Sequence, residues 1–421
     1  FLRYVIAILV ITQLATAQEA AKKYGTINFS GVLYSFYYYN LNNTQPIENS
    51  FPQERAEPLA NGYNQFDIER IYFTLKSQLS ASTAFQVTTD IYRNAAYPQS
   101  AGAPTVYYTR DTNGNVQKIT IPGSAAPTSF YNGLAIRLKF GYFDWNPIDS
   151  ITFRMGMQPT PWFSLLDKAW GYRGVQQTAS DKNQFLSAAD LGASVSWNFP
   201  NKYGSLTGYV FNGNGYIAPE ANRFKDVSAK VELNPMPDDS VWKGLKIAGY
   251  GYWGVNSIAP NNDYPIETYG GLERNIYGGF VGYTYGLLNV GVEYDINKTG
   301  VSVSSNGGFM NVDSSNTASV FSAFASVKGP GDLHDWSLIG RIDLYNPTNA
   351  DLSALTAAQY NNTNTKNTFV LAGVAYSLSK QVQLAIDYQA TSFAQPIAVQ
   401  YDNANKVTND SRIFIHGIVT Y

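Results

Sequence analysis

Apolar and polar residues alternate along most of this chain with a period of two, the spacing of strands that bury one face and wet the other. Trp336, Leu338, Ile342 and Leu344 face one way while Ser337, Arg341 and Asp343 face the other. In the same manner Val382, Leu384, Ile386 and Tyr388 oppose Gln381, Gln383, Asp387 and Gln389. The alternation predicts an even set of about sixteen strands. They cover 25–39, 65–79, 84–93, 134–144, 151–158, 191–199, 205–211, 224–233, 245–253, 275–285, 288–295, 319–327, 336–345, 368–377, 381–389 and 411–421. In the last, Ile413, Ile415, Val419 and the terminal Tyr421 alternate with Arg412, His416 and Thr420, the pattern of a closing strand of a bacterial outer-membrane barrel.

A soluble β-sandwich also alternates, so the connections decide. Those at 80–83, 145–150, 200–204, 286–287 and 378–380 are tight, and 234–244 and 328–335 are moderately short. Between them lie long polar stretches at 40–64, 94–133, 159–190, 254–274, 296–318, 346–367 and 390–410, with a shorter one at 212–223. A transmembrane antiparallel up-and-down β-barrel, with short periplasmic turns and long extracellular loops, has this rhythm, whereas a sandwich has no cause for it. Aromatics near strand ends, among them Tyr37, Tyr38, Tyr39, Tyr142, Trp145, Trp197, Trp253, Tyr285 and Tyr421, suit the girdles that settle at headgroup depth.

The amino-terminal segment fits an exported protein. Arg3, the apolar run from Tyr4 to Ile11 and Ala15-Thr16-Ala17 read as a signal peptide over 1–17, cut before Gln18, ahead of one barrel domain over 18–421. The run is too short for a spanning helix, and no later run reaches the roughly 18 apolar residues one needs. The sequence has 32 Tyr, 23 Phe and 35 Gly but no Cys and two His, which excludes disulfide and thiolate metal chemistry. Mean hydropathy is −0.21, a value a barrel reaches because only alternate residues meet lipid. Net charge is −2, and removing Arg3 with the leader leaves 28 bases against 31 acids, or −3; nothing calls for nucleic acid.

The polar face of the predicted strands carries Arg70, Lys76, Arg137, Lys139, Arg154, Lys230, Arg341 and Arg412, with Asp90, Glu232, Glu293, Asp343 and Asp387. Bases facing acids across a wet pore would set a transverse field that orients solutes; alternatively these residues merely keep the interior wet. Arg137 and Arg154 stand out because the turn at 145–150 places them on neighbouring strands. The third long connection, 160–189, holds Trp162, Phe163, Asp167, Lys168, Trp170, Tyr172 and Arg173, an amphipathic density that favours folding into the barrel mouth over free solvation; packing on the rim or on a neighbouring subunit is the alternative. Inward Tyr72, Tyr92, Tyr250 and Tyr252 leave room for a carbohydrate-stacking path. Catalysis would need His334 or His416 beside a nucleophile. Asp111, Asn113 and Asn115 resemble the start of a calcium loop, but Val116 and Pro122 stand where glycine and glutamate belong. Asn212-Gly-Asn-Gly215 has no helix pattern after it to make a phosphate cradle.

Three segments carry a family likeness: Phe66-Asp-Ile-Glu-Arg-Ile-Tyr-Phe73 on the second strand, Met155-Gly-Met-Gln-Pro-Thr-Pro161 entering the third loop, and Val210-Phe-Asn-Gly-Asn-Gly-Tyr216 after the seventh strand. With these in this order the chain resembles the bacterial phosphate-selective porin O and P family. The resemblance implies a sixteen-stranded, usually trimeric outer-membrane channel whose third loop narrows the pore. It departs from that family in spreading few bases among acids, so the expectation is modest ion preference without a phosphate site. The sequence is thus read as a porin in the bacterial outer membrane, embedded in lipid, passing small hydrophilic solutes or ions, with no cofactor, metal or catalytic turnover. A non-channel barrel that binds glycans or partners through its loops is the rival.

Overall fold

The computed structural model describes residues 24–42, 62, 64–93, 105–110, 116–121, 134–217, 224–255, 273–300, 304–305, 308–309, 315–347, 366–399 and 402–421. The leader segment, much of the long connections and the calcium-like Asp111, Asn113, Asn115 and Pro122 lie outside the described residues.

The sixteen barrel strands are β1 (Ile27–Asn42), β2 (Asn64–Gln78), β3 (Thr83–Arg93), β4 (Leu134–Ile148), β5 (Ile151–Pro159), β6 (Ala189–Asn198), β7 (Gly204–Phe211) and β8 (Asp226–Leu233). They continue as β9 (Leu245–Val255), β10 (Glu273–Tyr285), β11 (Leu288–Gly300), β12 (Ser315–Lys328), β13 (Trp336–Asn346), β14 (Asn367–Ser377), β15 (Val382–Val399) and β16 (Asp402–Thr420). Each pairs antiparallel with its sequence neighbours, and β1 with β16 closes the barrel from Val32↔Thr420 to Tyr39↔Ile413. Tyr421 completes the seam: its backbone exchanges hydrogen bonds of 2.9 and 3.0 Å with Gly31, and its ring lies 5.6 Å from Phe29. Closure matters because an unpaired strand edge cannot be satisfied in hydrocarbon. Two short hairpins, Thr105–Arg110 with Val116–Ile121 and Ser304–Ser305 with Gly308–Phe309, stand apart from the barrel sheet.

All sixteen predicted windows fall on a strand, and the largest discrepancy is at the last hairpin. The stretch 390–410, read as a loop, is mostly strand, paired as far as Ala398↔Lys406 and Val399↔Asp402. A strand that has passed beyond lipid no longer needs an apolar face, so its sequence stops signalling. Within the membrane the two faces are distinct. Ile136, Leu338 and Ile386 on the outside are 70, 62 and 57 % exposed, while Asp90, Asp343 and Asp387 inside are 0, 1 and 2 % exposed.

Two β-bulges interrupt the alternation. Tyr34 pairs with Arg70 and Ser35 with Ile68, leaving Glu69 as an extra residue in β2. Thr88 pairs with Phe140 and Thr89 with Leu138, leaving Lys139 as an extra residue in β4. A bulge re-aims side chains by shifting the phase of the pleat.

The third long connection forms α1 (Pro161–Trp170) and the one-turn α2 (Ala179–Lys182). Proline occupies the first turn of α1, where its missing N–H costs nothing. Gly171, at φ 77°, ends the helix and donates its N–H to the Asp167 carbonyl at 2.9 Å, a left-handed conformation that glycine adopts freely. Trp162, Phe163, Leu165, Leu166 and Trp170 of α1 are buried in one cluster with Tyr250, Ile276, Phe280, Val320, Phe324, Phe369 and Leu371 of β9, β10, β12 and β14. The main apolar core therefore lies inside the barrel. No helix among the described residues is long and apolar enough to cross a membrane, which says nothing about the strands of a barrel.

Candidate pore and its inner walls

The inner surface divides into a wall covered by α1 and α2 and a wall facing them. On the covered wall, Trp162 stacks on Tyr250 at 5.5 Å and 12° and donates its indole N–H to Asp295 Oδ1 at 2.9 Å. Gly278 makes the room, since a Cβ there would run into both Trp162 and Asp295. Trp170 meets Phe324 edge-on at 5.3 Å. Ser180 donates its N–H and hydroxyl to Glu293 Oε1 at 3.1 and 2.8 Å. Arg341 grips Asp343 with two hydrogen bonds, at 2.7 and 2.6 Å, and donates a further one to the Gln177 carbonyl. Gln389 donates to Asp387 at 2.8 Å and accepts from Gln176 at 2.8 Å. Glu293, Arg341, Asp343 and Asp387 thus face inward as the sequence suggests, yet each is at most 5 % exposed, covered by the loop they hold.

The facing wall is built by β2 to β5. Arg137 pairs with Asp90 at 2.8 Å, donates to the Tyr216 hydroxyl at 2.8 Å, and lies 3.8 Å from the Tyr92 ring centroid. Arg154 binds Asp144 through two hydrogen bonds, 2.6 and 2.9 Å, with its guanidinium 3.9 Å from the Tyr142 ring. The two arginines are on adjacent strands but at different heights: Arg154 is opposite Asp144, Arg137 opposite Asp90. The tight turn places them on neighbouring strands as the sequence suggests, each with its own carboxylate. Lys139 donates to the Tyr72 hydroxyl at 2.6 Å and its ammonium sits 3.9 Å from that ring.

Elsewhere Glu232 is bracketed by Lys230 and Lys246, each at 3.3 Å. Arg412 pairs with Asp410 at 3.0 Å. Lys76 is exposed near the end of β2. Among the third-loop residues, Arg173 bridges Glu69 at 3.1 Å, Asp181 at 3.6 Å and Asp167 at 3.8 Å. Burial and the nearby Asp181 push the Asp167 carboxyl up to about 6 against the opposing pull of Arg173. Tyr172 is buried and Lys168 exposed. A 680 Å³ cavity lies between the loop and the facing wall, lined by Tyr34, Tyr72, Lys139, Phe163, Asp167 and Arg173 among others. A second, of 750 Å³, shares Lys168 and Lys380 with it and adds Lys246 and Lys328.

Asp144, Glu69, Asp181 and Tyr216 carry much of this network and escape a reading by strand face. Glu69 is a bulge residue, Asp144 sits where a strand runs into its turn, and Asp181 and Tyr216 are in loops. The four inward tyrosines divide between the walls: Tyr250 lies under Trp162 and Tyr252 is bonded to Asp226, whereas Tyr72 and Tyr92 stay with the bases. The Asn212–Gly215 turn does cradle an anion, the Asp190 carboxylate, through the N–H groups of Gly213 and Gly215 at 3.0 and 3.2 Å. His416 contacts Asp387 at 2.7 Å and stacks against Phe414 at 5.4 Å; His334 is on an exposed turn, 3.0 Å from the Gly331 carbonyl.

No family model matches the chain, and no curated protein does. Solved structures match over nearly its whole length. An anion-selective porin from Comamonas acidovorans superposes with a TM-score of 0.54 at 12 % identity, covering 94 % of this chain and 99 % of that one. The outer membrane channel DcaP of Acinetobacter baumannii gives 0.55 at 10 % identity, over 94 and 97 %. OprB of Pseudomonas putida gives 0.53 at 8 % identity, over 96 % of each chain. At such identities the likeness is one of fold, and the fold is the closed sixteen-stranded barrel of the outer-membrane porins.

Proposed function

We propose that this protein is an outer-membrane porin, a water-filled channel through which small hydrophilic solutes or ions diffuse passively, with no catalytic turnover. The observation that carries this is the barrel itself: an apolar outer face, a charged inner face, and a cavity of 680 Å³ left beside a loop that covers only one inner wall. In this reading the third loop is the constriction, with Arg173, Asp167 and Lys168 on its pore side, and Lys139, Arg137 and Arg70 on the wall across from it. Export by a cleaved leader over 1–17 and assembly as a homotrimer in outer-membrane lipid belong to the same proposal.

The resemblance to the phosphate-selective porin O and P family is supported by where its three segments come together. Glu69 of the first reaches Arg173 of the loop that the second introduces, and Tyr216 of the third bonds Arg137. The substrate in that family's name does not follow, because Arg137, Arg154, Arg173, Lys230 and Arg341 each have a carboxylate partner within 4 Å, and opposed charges leave little net field. Conductance of purified protein in a planar bilayer tests the proposal. Stable open steps are expected; a detergent-folded barrel that gives none would refute a channel.

A further inference from the structure

Two cations on the facing wall, Arg70 and Lys139, lack the carboxylate partner within 4 Å that Arg137, Arg154, Arg173, Lys230 and Arg341 have. Arg70 is 8 % exposed and its Nη1 is fully buried, yet among the described residues its guanidinium makes no hydrogen bond or ion pair. Its near neighbour is the Tyr92 ring at 5.9 Å. Lys139 has the Tyr72 hydroxyl and ring and, at 5.5 Å, the Phe140 ring. A buried charge without a direct hydrogen-bonded partner is costly, and bulges at Glu69 and Lys139 aim extra side chains at this zone, as bulges do beside binding sites. Register makes the cluster compact. Arg70 and Tyr72 on β2, Asp90 and Tyr92 on β3, and Arg137 and Lys139 on β4 occupy adjoining inward positions; of the nearby carboxylates, Asp90 is held by Arg137 and Glu69 by Arg173.

We propose that Lys139, with Tyr72 and Tyr34 beside it and the buried Arg70 adding positive charge from behind, forms a subsite for a small organic carboxylate whose body is aromatic. This rests on the channel reading and names the solute class that the channel favours. The carboxylate would take an open hydrogen-bonding direction of the Lys139 ammonium, which lines the cavity, while the buried Arg70 behind it contributes charge and not a contact. Its ring would lie in the 680 Å³ cavity, whose lining includes Tyr34, Tyr72, Phe140, Phe163 and Tyr172. Inorganic phosphate is disfavoured: it offers nothing to these rings, and Glu69, Asp90, Asp167 and Asp181 nearby repel a dianion.

Benzoate is the probe, with cyclohexanecarboxylate and phosphate as comparisons, and binding to the full-length detergent-folded protein is measured by calorimetry, independently of conduction. Saturable benzoate binding is expected, weakened about tenfold by Lys139→Met, less by Arg70→Met, which removes charge without removing a contact, and unchanged by Lys243→Met in an exposed turn. Cyclohexanecarboxylate should bind more weakly and phosphate not saturably. Lys139→Gln and Tyr72→Phe, which keep the packing, guard against a variant that fails to fold: the first should lose binding and the second should retain most of it. No benzoate binding, equal binding of phosphate, or indifference to Lys139→Gln overturns the subsite. Absent conductance alongside intact benzoate binding would instead remove the channel reading and leave the subsite standing.

Discussion

The two inner walls of this barrel use similar residues to opposite ends. On the covered wall, Asp343, Glu293 and Asp387 are at most 2 % exposed and their partners are loop residues or the bases that hold the loop. On the facing wall, Arg154 and Asp144 keep 28 and 20 % of their side chains exposed, and the bases rest on tyrosine rings. Charge under the loop is structural because it is dry; on the facing wall Asp90 is dry as well, but Arg154 and Asp144 can meet a solute because they are wet. The loop decides which wall becomes the channel, and it chooses by apolar packing: Ile276, Phe280, Val320, Phe324 and Phe369 lie on the covered side.

The largest effect should come from undoing that choice. Trp162 is fully buried, stacked and hydrogen-bonded, and replacing a buried Trp by Ala costs about 3–5 kcal/mol. Trp162→Ala should release α1 without opening the barrel seam, raising single-channel conductance and exposing 161–188 to protease. Tyr72→Ala on the facing wall should leave the loop docked. Equal protease resistance of both variants and the parent would show that Trp162 does not anchor the loop.

Next in size is the difference between a dry and a wet ion pair. Asp343→Asn strands Arg341 under the loop, where side-chain exposure is 1 and 2 % for the pair, and breaking a buried pair on one side costs about 3–5 kcal/mol. Asp144→Asn leaves Arg154 solvated and should cost at most about 1 kcal/mol. The temperature at which the folded electrophoretic form is lost should therefore drop for Asp343→Asn far more than for Asp144→Asn. Matching shifts would mean that the two walls are equally wet.

How far this contrast was legible depends on which physical signal each part leaves. The strands were plain because lipid enforces an apolar residue at every second position. The bulges were legible too, had phase been followed: apolar positions at 66 and 68 resume at 71, 73 and 75 in β2, and 136 and 138 resume at 143 and 145 in β4. The helix α1 left its start and stop signals, Pro161 in its first turn and Gly171 after its end, and only its ten-residue length inside a long polar connection hid it. Inward Ile276, Phe280 and Val320 were the missed sign of an occupied lumen, since a water-filled one has no use for them. The heights of Arg137 and Arg154 follow from plain hairpin counting: with Trp145 opposite Phe153, Arg154 falls opposite Asp144, seven residues along β4 from Arg137.

The smallest expected effect concerns a single charge on the boundary between the walls. Asp167 lines the cavity that faces Lys139, Lys168, Arg173 and Lys380, and its carboxyl, raised by burial first and by Asp181 next while Arg173 opposes, titrates at about 6. Below that pH it is neutral and the cavity's bases act on solutes with less opposition; above it a negative charge joins them. Anion preference should therefore be greatest in acid and fall as pH rises through about 6, by roughly twofold for one charge among several. Reversal potentials under a salt gradient at about pH 5 and about pH 7.5 would measure it. Asp167→Asn should hold the acid-side preference at both pH values, because its side chain cannot ionise. A preference that rises with pH, or a step that survives in Asp167→Asn, would place the controlling group elsewhere, and would mean that the loop's outward face does not set the field of the channel it leaves open.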